Sequence, residues 1–464
     1  MTEDPGRDAS DENPRSRGDG GHNWQRNLWA IWFAELVAIV GFAIALPLLP
    51  LYVRDLGVEG EQQVAIWSGA VFSAQAVTMA IFGPIWGALS DRYGRKVMVE
   101  RAMIAGSVIM ALMGVAQSPL QLVILRVLQG ALTGTITAAR ALVATSAPRD
   151  RAGYALGTLQ MAVYVGATLG PTLGGVMADT VGYRSPFFVT SALLLTAAIV
   201  VFIFVKEPPA AAREMVKSVS ASGDRQATLR SRVLNQLSPV LGSAPMLAVL
   251  GVGLLVQSAA RIIQPTLPLF VEVVAPPGAR VATITGLVIG ASALGGALGG
   301  RTLGALGDRV GHRLILIACA FSSVICYAPQ SLVPTWLWLV PLQLGAGFAM
   351  GGTVASIGAS LAALAPQGRE GVVYGIDATA VSIAAAVGPA AGSLLAASFG
   401  LRTPFLAAAI VFGLGALAAL KHLPDLRTPQ VEIRPGAGQS EGVFLSRPSK
   451  QPTGCGSSCG GGRA

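Results

Sequence analysis

From about residue 27 to residue 421, long apolar runs alternate with short polar ones. A helix rises 1.5 Å per residue, so about 20 apolar residues cross the hydrocarbon core of a bilayer. Counting in that unit predicts twelve helical spans, beginning near Asn27, Val64, Val97, Leu120, Gly153, Ser185, Pro245, Ala282, Leu314, Val333, Gly371 and Thr403. One long polar insert, from Lys206 to Pro239, divides them six and six. The expected organisation is a polar tail (1–26), a six-helix bundle (27–205), a linking loop (206–244), a second six-helix bundle (245–421) and a second tail (422–464). The fold class is therefore all-α integral membrane.

The halves repeat one another. GALSDRYGRK at Gly87 returns as GALGDRVGHR at Gly304, an offset of 217 residues. At an offset of 218, LGPTLGG with Gly170 and Pro171 returns as VGPAAGS with Gly388 and Pro389, and GYRSPFF at Gly182 as GLRTPFL at Gly400. LPLLPLYV, ending span one, matches QPTLPLFV, ending span seven, at the same offset. Four motifs in one order are more than shared apolar composition gives, and they predict two bundles related by duplication around a central cavity.

Charge distribution orients the chain. Arg26, Arg92, Arg95, Lys96, Arg149, Arg151, Arg309, Arg313, Arg369 and Lys421 all fall on one side, with the long central loop. Loops of the other side hold none, or single arginines such as Arg54 and Arg280. The positive-inside rule then puts both termini in the cytoplasm, with Trp336 and Trp338 in the outer aromatic belt. Only 12% of residues are charged, about half the share in a soluble domain, as a lipid-facing surface requires. The net charge of +9 is spread in clusters between apolar spans, which argues against a nucleic-acid partner. Without an apolar core, the first two dozen residues are a polar tail and not a signal peptide.

Charges inside the spans are costly, about 2.5–3.5 kcal/mol each on insertion scales, and so mark candidate sites. Glu35 in span one lies roughly 12 Å from the cytoplasmic edge, and Asp377 in span eleven roughly 9 Å, by the helical rise. Arg126 in span four and Arg261 in span seven accompany them. Either these charges satisfy one another structurally, or the acids carry protons and the arginines face a cavity. Glu100, four residues after Lys96, fits a helix-face ion pair.

GALSDRYGRK between spans two and three, LRVLQGALTG in span four and GATLGPTLGG in span five resemble signatures of the major facilitator superfamily, the last those of its drug:proton antiporter branch. The resemblance covers the membrane region to about Pro424. It implies export of drug-like molecules in exchange for protons, with spans one, four and seven lining the cavity. Glu35 is then the leading proton carrier and Asp377 the understudy. Gly87, Asp91, Arg92, Gly94, Arg95 and Lys96 become a cytoplasmic latch, with Asp91 against the start of span eleven near Arg369 and Gly371, where the helix dipole favours an anion. The same residues are equally readable as topology alone. Members often place an acid at the cytosolic end of span four; here TAARALVATSAP holds Arg140 instead. Gly166, Gly170, Pro171, Gly174 and Gly175 become a bundle-to-bundle interface, or else generic tight packing with a proline kink.

The expected partners are a small drug-like molecule, protons and the lipid bilayer, with the chain acting as a monomer and no cofactor. An importer of a small anion, clamped by Arg126 and Arg261, is the other transporter reading, and a non-transporting receptor the reading from another class. An enzyme is not expected: no HExxH, no metal-spaced His/Cys cluster and no GxxxxGK[ST] loop occurs. The lone GxSxG match, at Gly456, lies in the Gly/Ser-rich tail without the strand–turn–helix that motif needs. Cys455 and Cys459, in the same tail, are too few ligands for a closed metal site.

Overall fold

A computed structural model describes residues 24–134, 139–140, 142–143, 151–205, 242–366 and 370–423. Every secondary-structure element among the described residues is helical. Helices α1 (Trp24–Ala45) and α2 (Leu49–Asp55) make the first span, joined by a 3₁₀ turn at Leu46–Leu48. They are followed by α3 (Glu61–Tyr93), α4 (Arg95–Gly114), α5 (Pro119–Leu132), α6 (Ala152–Val181) and α7 (Ser185–Phe204). In the second half, α8 (Ala244–Ile262) and α9 (Leu267–Val274) share the seventh span. The remainder are α10 (Val281–Val310), α11 (His312–Gln330), α12 (Leu339–Leu364), α13 (Glu370–Phe399) and α14 (Thr403–His422). Eleven segments among the described residues are long and apolar enough to cross a membrane, and the shorter α5 belongs to the remaining span.

Local sequence explains the breaks. Spans one and seven interrupt at matching prolines, Pro47 and Pro50 against Pro265 and Pro268, each of which lacks the N–H that would continue the helical ladder. Gly94 (φ 107°) and Gly311 (φ 100°) turn the chain between α3 and α4 and between α10 and α11, a backbone state that side chains with a Cβ avoid. Ser118 caps α5 by accepting from the Gln121 N–H, just before Pro119 at the first helical position. Trp336–Trp338 form a 3₁₀ turn ahead of α12, so the tenth helix starts later than the apolar run that predicts it.

Packing repeats with the sequence. In the first bundle α1 lies on α6 and α7, α4 on α7, and α3 on α5; in the second, α8 lies on α13 and α14, α11 on α14, and α10 on α12. Individual bonds repeat too. Lys96 Nζ donates to the Phe202 carbonyl at 2.8 Å, as Arg313 does to that of Leu420. Arg184 donates to the Gly114 carbonyl and Arg402 to that of Ser331. Tyr52 packs on Phe187 at 4.9 Å between ring centroids, and Phe270 on Phe405 at 4.8 Å. Within bundles, glycines bring backbones into contact: a Cβ at Gly130 would strike the Gln75 carbonyl, and one at Gly347 that of Ser292. Large apolar side chains such as Phe202, Phe321, Ile410 and Leu417 stay exposed, as lipid-facing positions do.

Candidate functional site

The bundles meet along two helix pairs, α6 with α10 and α3 with α13. Their contact is uneven along its length. Toward the end bearing the Gly182 and Gly400 turns, the pairs are tight. A Cβ at Gly175 would strike the Ala282 carbonyl, one at Gly286 the Pro171 carbonyl, and one at Gly290 would come within 2.7 Å of the Thr168 carbonyl. Gly69 packs likewise against Ser393 and Pro389. Toward the basic end, bearing the Gly94 and Gly311 turns, a Cβ at Gly83, Gly87, Gly153, Gly157 or Gly375 would meet nothing within 4 Å. The interface is closed at one end and open at the other.

Polar contacts secure the closed end. The Asp179 carboxylate, in the last turn of α6, accepts from the backbone N–H of Ala282 (3.3 Å) and of Thr283 (2.7 Å), and from the Thr283 hydroxyl (2.7 Å). It thereby caps the first turn of α10 across the interface, where free N–H groups and the helix dipole both favour an anion. Arg54, ending α2, pairs with Glu272 of α9, again from bundle to bundle. Burial, and behind it the carboxylates of Asp179, Glu272 and Asp55, push the nearby Tyr183 phenol above its ordinary range, so it stays neutral there.

The glycine–proline motif divides between two partners. Gly166, Gly170 and Gly174, spaced by four, face α1 of their own bundle, against Ile39, Ala43 and Ile44. Pro171 and Gly175, on another face, meet α10. Only the second pair forms the bundle-to-bundle contact.

The charges inside the spans do not pair with one another. Glu35 has no exposed surface, and neither carboxylate oxygen has a hydrogen-bond partner. Arg126, also buried, donates to the Val71 carbonyl (3.1 Å) and to Gln129 Oε1 (2.6 Å). Gln129 keeps its own Nε2 unpartnered. Arg261 is part-buried near Gly388, and Asp377 is part-buried on α13; neither joins an ion pair among the described residues. The Lys96–Glu100 helix-face pair is present at 3.5 Å. The side chains of Asp91 and Arg92, residue Arg369, and Cys455 and Cys459 lie outside the described residues. Among the described residues no cluster of His, Cys, Asp or Glu could hold a metal ion.

Sequence reasoning missed Asp179, Thr283 and the Arg54–Glu272 pair. One signal was available: an acid in the last turn of a helix opposes the dipole of that helix, so Asp179 asks for a partner outside α6. Arg101, six residues into α4, was also passed over.

The family model described as Major Facilitator Superfamily matches residues 31–282 and 278–454. Among relatives, the Multidrug resistance protein MdtG of Escherichia fergusonii is 34% identical over 418 residues, covering 90% of this chain and 99% of that protein. The protein of the same name from Enterobacter lignolyticus is 36% identical over 391 residues, covering 84% and 90%. A solved bacterial homologue of the human lysosomal transporter Spinster superposes with a TM-score of 0.68 at 16% identity, covering 89% of this chain and all of that one. The nucleoside transporter NupG gives 0.68 at 12% identity, covering 86% and 98%. The chain is a transporter and not an enzyme: it belongs to the Major Facilitator Superfamily.

Proposed function

We propose that this protein exports amphipathic drug-like molecules across the bacterial cytoplasmic membrane in exchange for protons, acting as a monomer by alternating access. Relatives named for multidrug resistance support the substrate class. The loop charge bias supports a cytoplasmic basic end, so the arrangement described above is the inward-facing state. Rocking the bundles about the glycine contacts would open the Asp179 end and close the other.

One observation carries the coupling: Glu35 is fully buried with both oxygens unpartnered. Burying an unpaired carboxylate costs far more than burying the neutral acid. The inward-facing state therefore suits Glu35 with its proton on, and loss of the proton favours a state that brings water or a cation to it. A bound cationic drug can be that cation, and drug and proton then compete through linkage. Asp377, part-buried, has less need of neutralisation. In everted vesicles, Glu35→Gln should abolish gradient-driven export and drug-induced proton release while drug binding persists. Asp377→Asn should reduce export only in part. Normal export and proton release in Glu35→Gln would make Glu35 a structural charge. Reporter fusions after Lys421 and in the loop holding Arg225 test orientation separately; a periplasmic signal from either would reverse it.

A further inference from the structure

Where α3 and α13 part at the basic end, a cavity of about 540 Å³ opens between the bundles. Its walls include Met79 and Trp86 of α3, Arg95 and Arg101 of α4, and Thr379 and Ser382 of α13. Arg101 stacks on the Trp86 ring, with Cζ 3.4 Å from the ring centroid. Trp86 is itself fixed by its indole N–H, which donates to the Ala131 carbonyl at 2.5 Å. Nε and Nη1 of Arg101 are shielded from solvent and have no hydrogen-bond partner. No acid stands among the described lining residues.

A guanidinium with two unused N–H donors is an unfinished contact, because a donor shielded from water needs a partner. Stacking occupies a face of the guanidinium and leaves its edges, where Nη2 combines with Nε or with Nη1 into a planar fork of donors that matches two oxygens of one phosphate. Lys would supply the charge without that fork. Arg101 lies six residues, roughly 9 Å, from the start of α4, a depth at which a lipid headgroup can reach it. Basic pockets between spans are known to take such headgroups. A second cation, Arg95, lines the same cavity.

We propose that this cavity binds a phosphate group on the edge of Arg101, delivered by a phospholipid headgroup or by a soluble phosphate ester. The site stands apart from Glu35 and does not depend on the direction of transport. Its walls belong to α3, α4 and the end of α5 on one side and α13 on the other, so an occupant holds that gap open and favours the state described here.

Native mass spectrometry of the purified full chain tests this with three probes: phosphatidylglycerol, diacylglycerol of the same acyl chains, and glycerol phosphate. Phosphatidylglycerol is expected to bind and diacylglycerol not to. Arg101→Gln should weaken the lipid by about tenfold or more, as loss of charge-assisted bonds does, and Arg101→Lys by less. Thr379→Phe, filling the cavity from the opposite wall with Arg101 intact, should weaken it as well, and decides the matter if Arg101→Gln fails to fold. Binding of glycerol phosphate without the lipid would support the phosphate site and assign it to a soluble ester. Equal binding of diacylglycerol, no binding of either phosphate probe, or wild-type affinity in both Arg101→Gln and Thr379→Phe would overturn the proposal.

Discussion

The two bundles share a scaffold and differ in chemistry. Bond for bond, Lys96 to Phe202 is matched by Arg313 to Leu420, and the Tyr52–Phe187 contact by Phe270–Phe405. The charges inside the spans have no such counterparts. At an offset of 218 residues Glu35 falls opposite Gly253, Arg261 opposite Ala43, and Asp377 opposite Leu159. At 217, Arg126 falls opposite Gln343, which is buried and donates from its Nε2 to Gln330 Oε1 at 3.0 Å. Duplication has kept the packing solution twice, whereas each costly charge occurs once. A feature retained in both halves is thus a structural device, and a charge held by one half alone is a candidate for function.

The comparison breaks most sharply at Glu35. Export should vanish in Glu35→Gln, and adding Gly253→Glu should not restore it, although a side chain at Gly253 would meet only Ile357, at 3.5 Å or beyond. Restored proton-coupled export in the double variant would mean that the halves are interchangeable. Next come the shared glycines. Gly130→Leu and Gly347→Leu each force a side chain into a facing backbone carbonyl, with an expected loss of about 1–3 kcal/mol or more. Melting in detergent should drop by similar amounts in both, and a large inequality would show that one bundle dominates stability. At the closed end, Asp179→Asn should remove roughly 0.3–1 kcal/mol of dipole interaction, up to about 2 where partly buried. Cysteine accessibility near Thr283 should then rise. Unchanged accessibility would reduce Asp179 to a local cap. Smallest of all, Lys96→Ala and Arg313→Ala should each cost under about 1 kcal/mol, Lys96→Ala the slightly larger amount, since both lose one hydrogen bond near the surface and Lys96 also loses its pair with Glu100.

Most of the scaffold was legible because its causes are local or repetitive. Apolar run length gave the spans and the recurrence at Gly87 and Gly304 the two bundles, whereas the breaks in spans one and seven went unread although their prolines stood in the repeated segments. The interface was only half legible. A spacing of four in Gly166, Gly170 and Gly174 signals a face but not the helix it meets, and that helix is α1 of the same bundle. Pro171 and Gly175 reach the other bundle because α10 offers Gly286 to the first and the Ala282–Thr283 backbone to the second, a match made over a hundred residues of sequence. Asp179 and Arg101 stayed hidden for a similar reason. What sets each apart is the partner it has, or lacks, in another helix, and single-chain periodicity carries no information about that.

The packing of α1 against α6 and α7 also bears on how the protein is made. Thr190 of α7 donates to the Gly41 carbonyl of α1 across 149 residues of chain. At synthesis rates of about 5–20 residues per second, the two sides of that bond emerge roughly 7–30 s apart. During this interval the first span sits in the membrane without the helices that will enclose it, and Glu35 faces lipid or the insertion machinery. Protonation makes that wait tolerable, so the acid proposed to couple transport also sets a condition on biogenesis. Replacing it with a permanently neutral residue should raise the yield of inserted protein even as it silences the transporter.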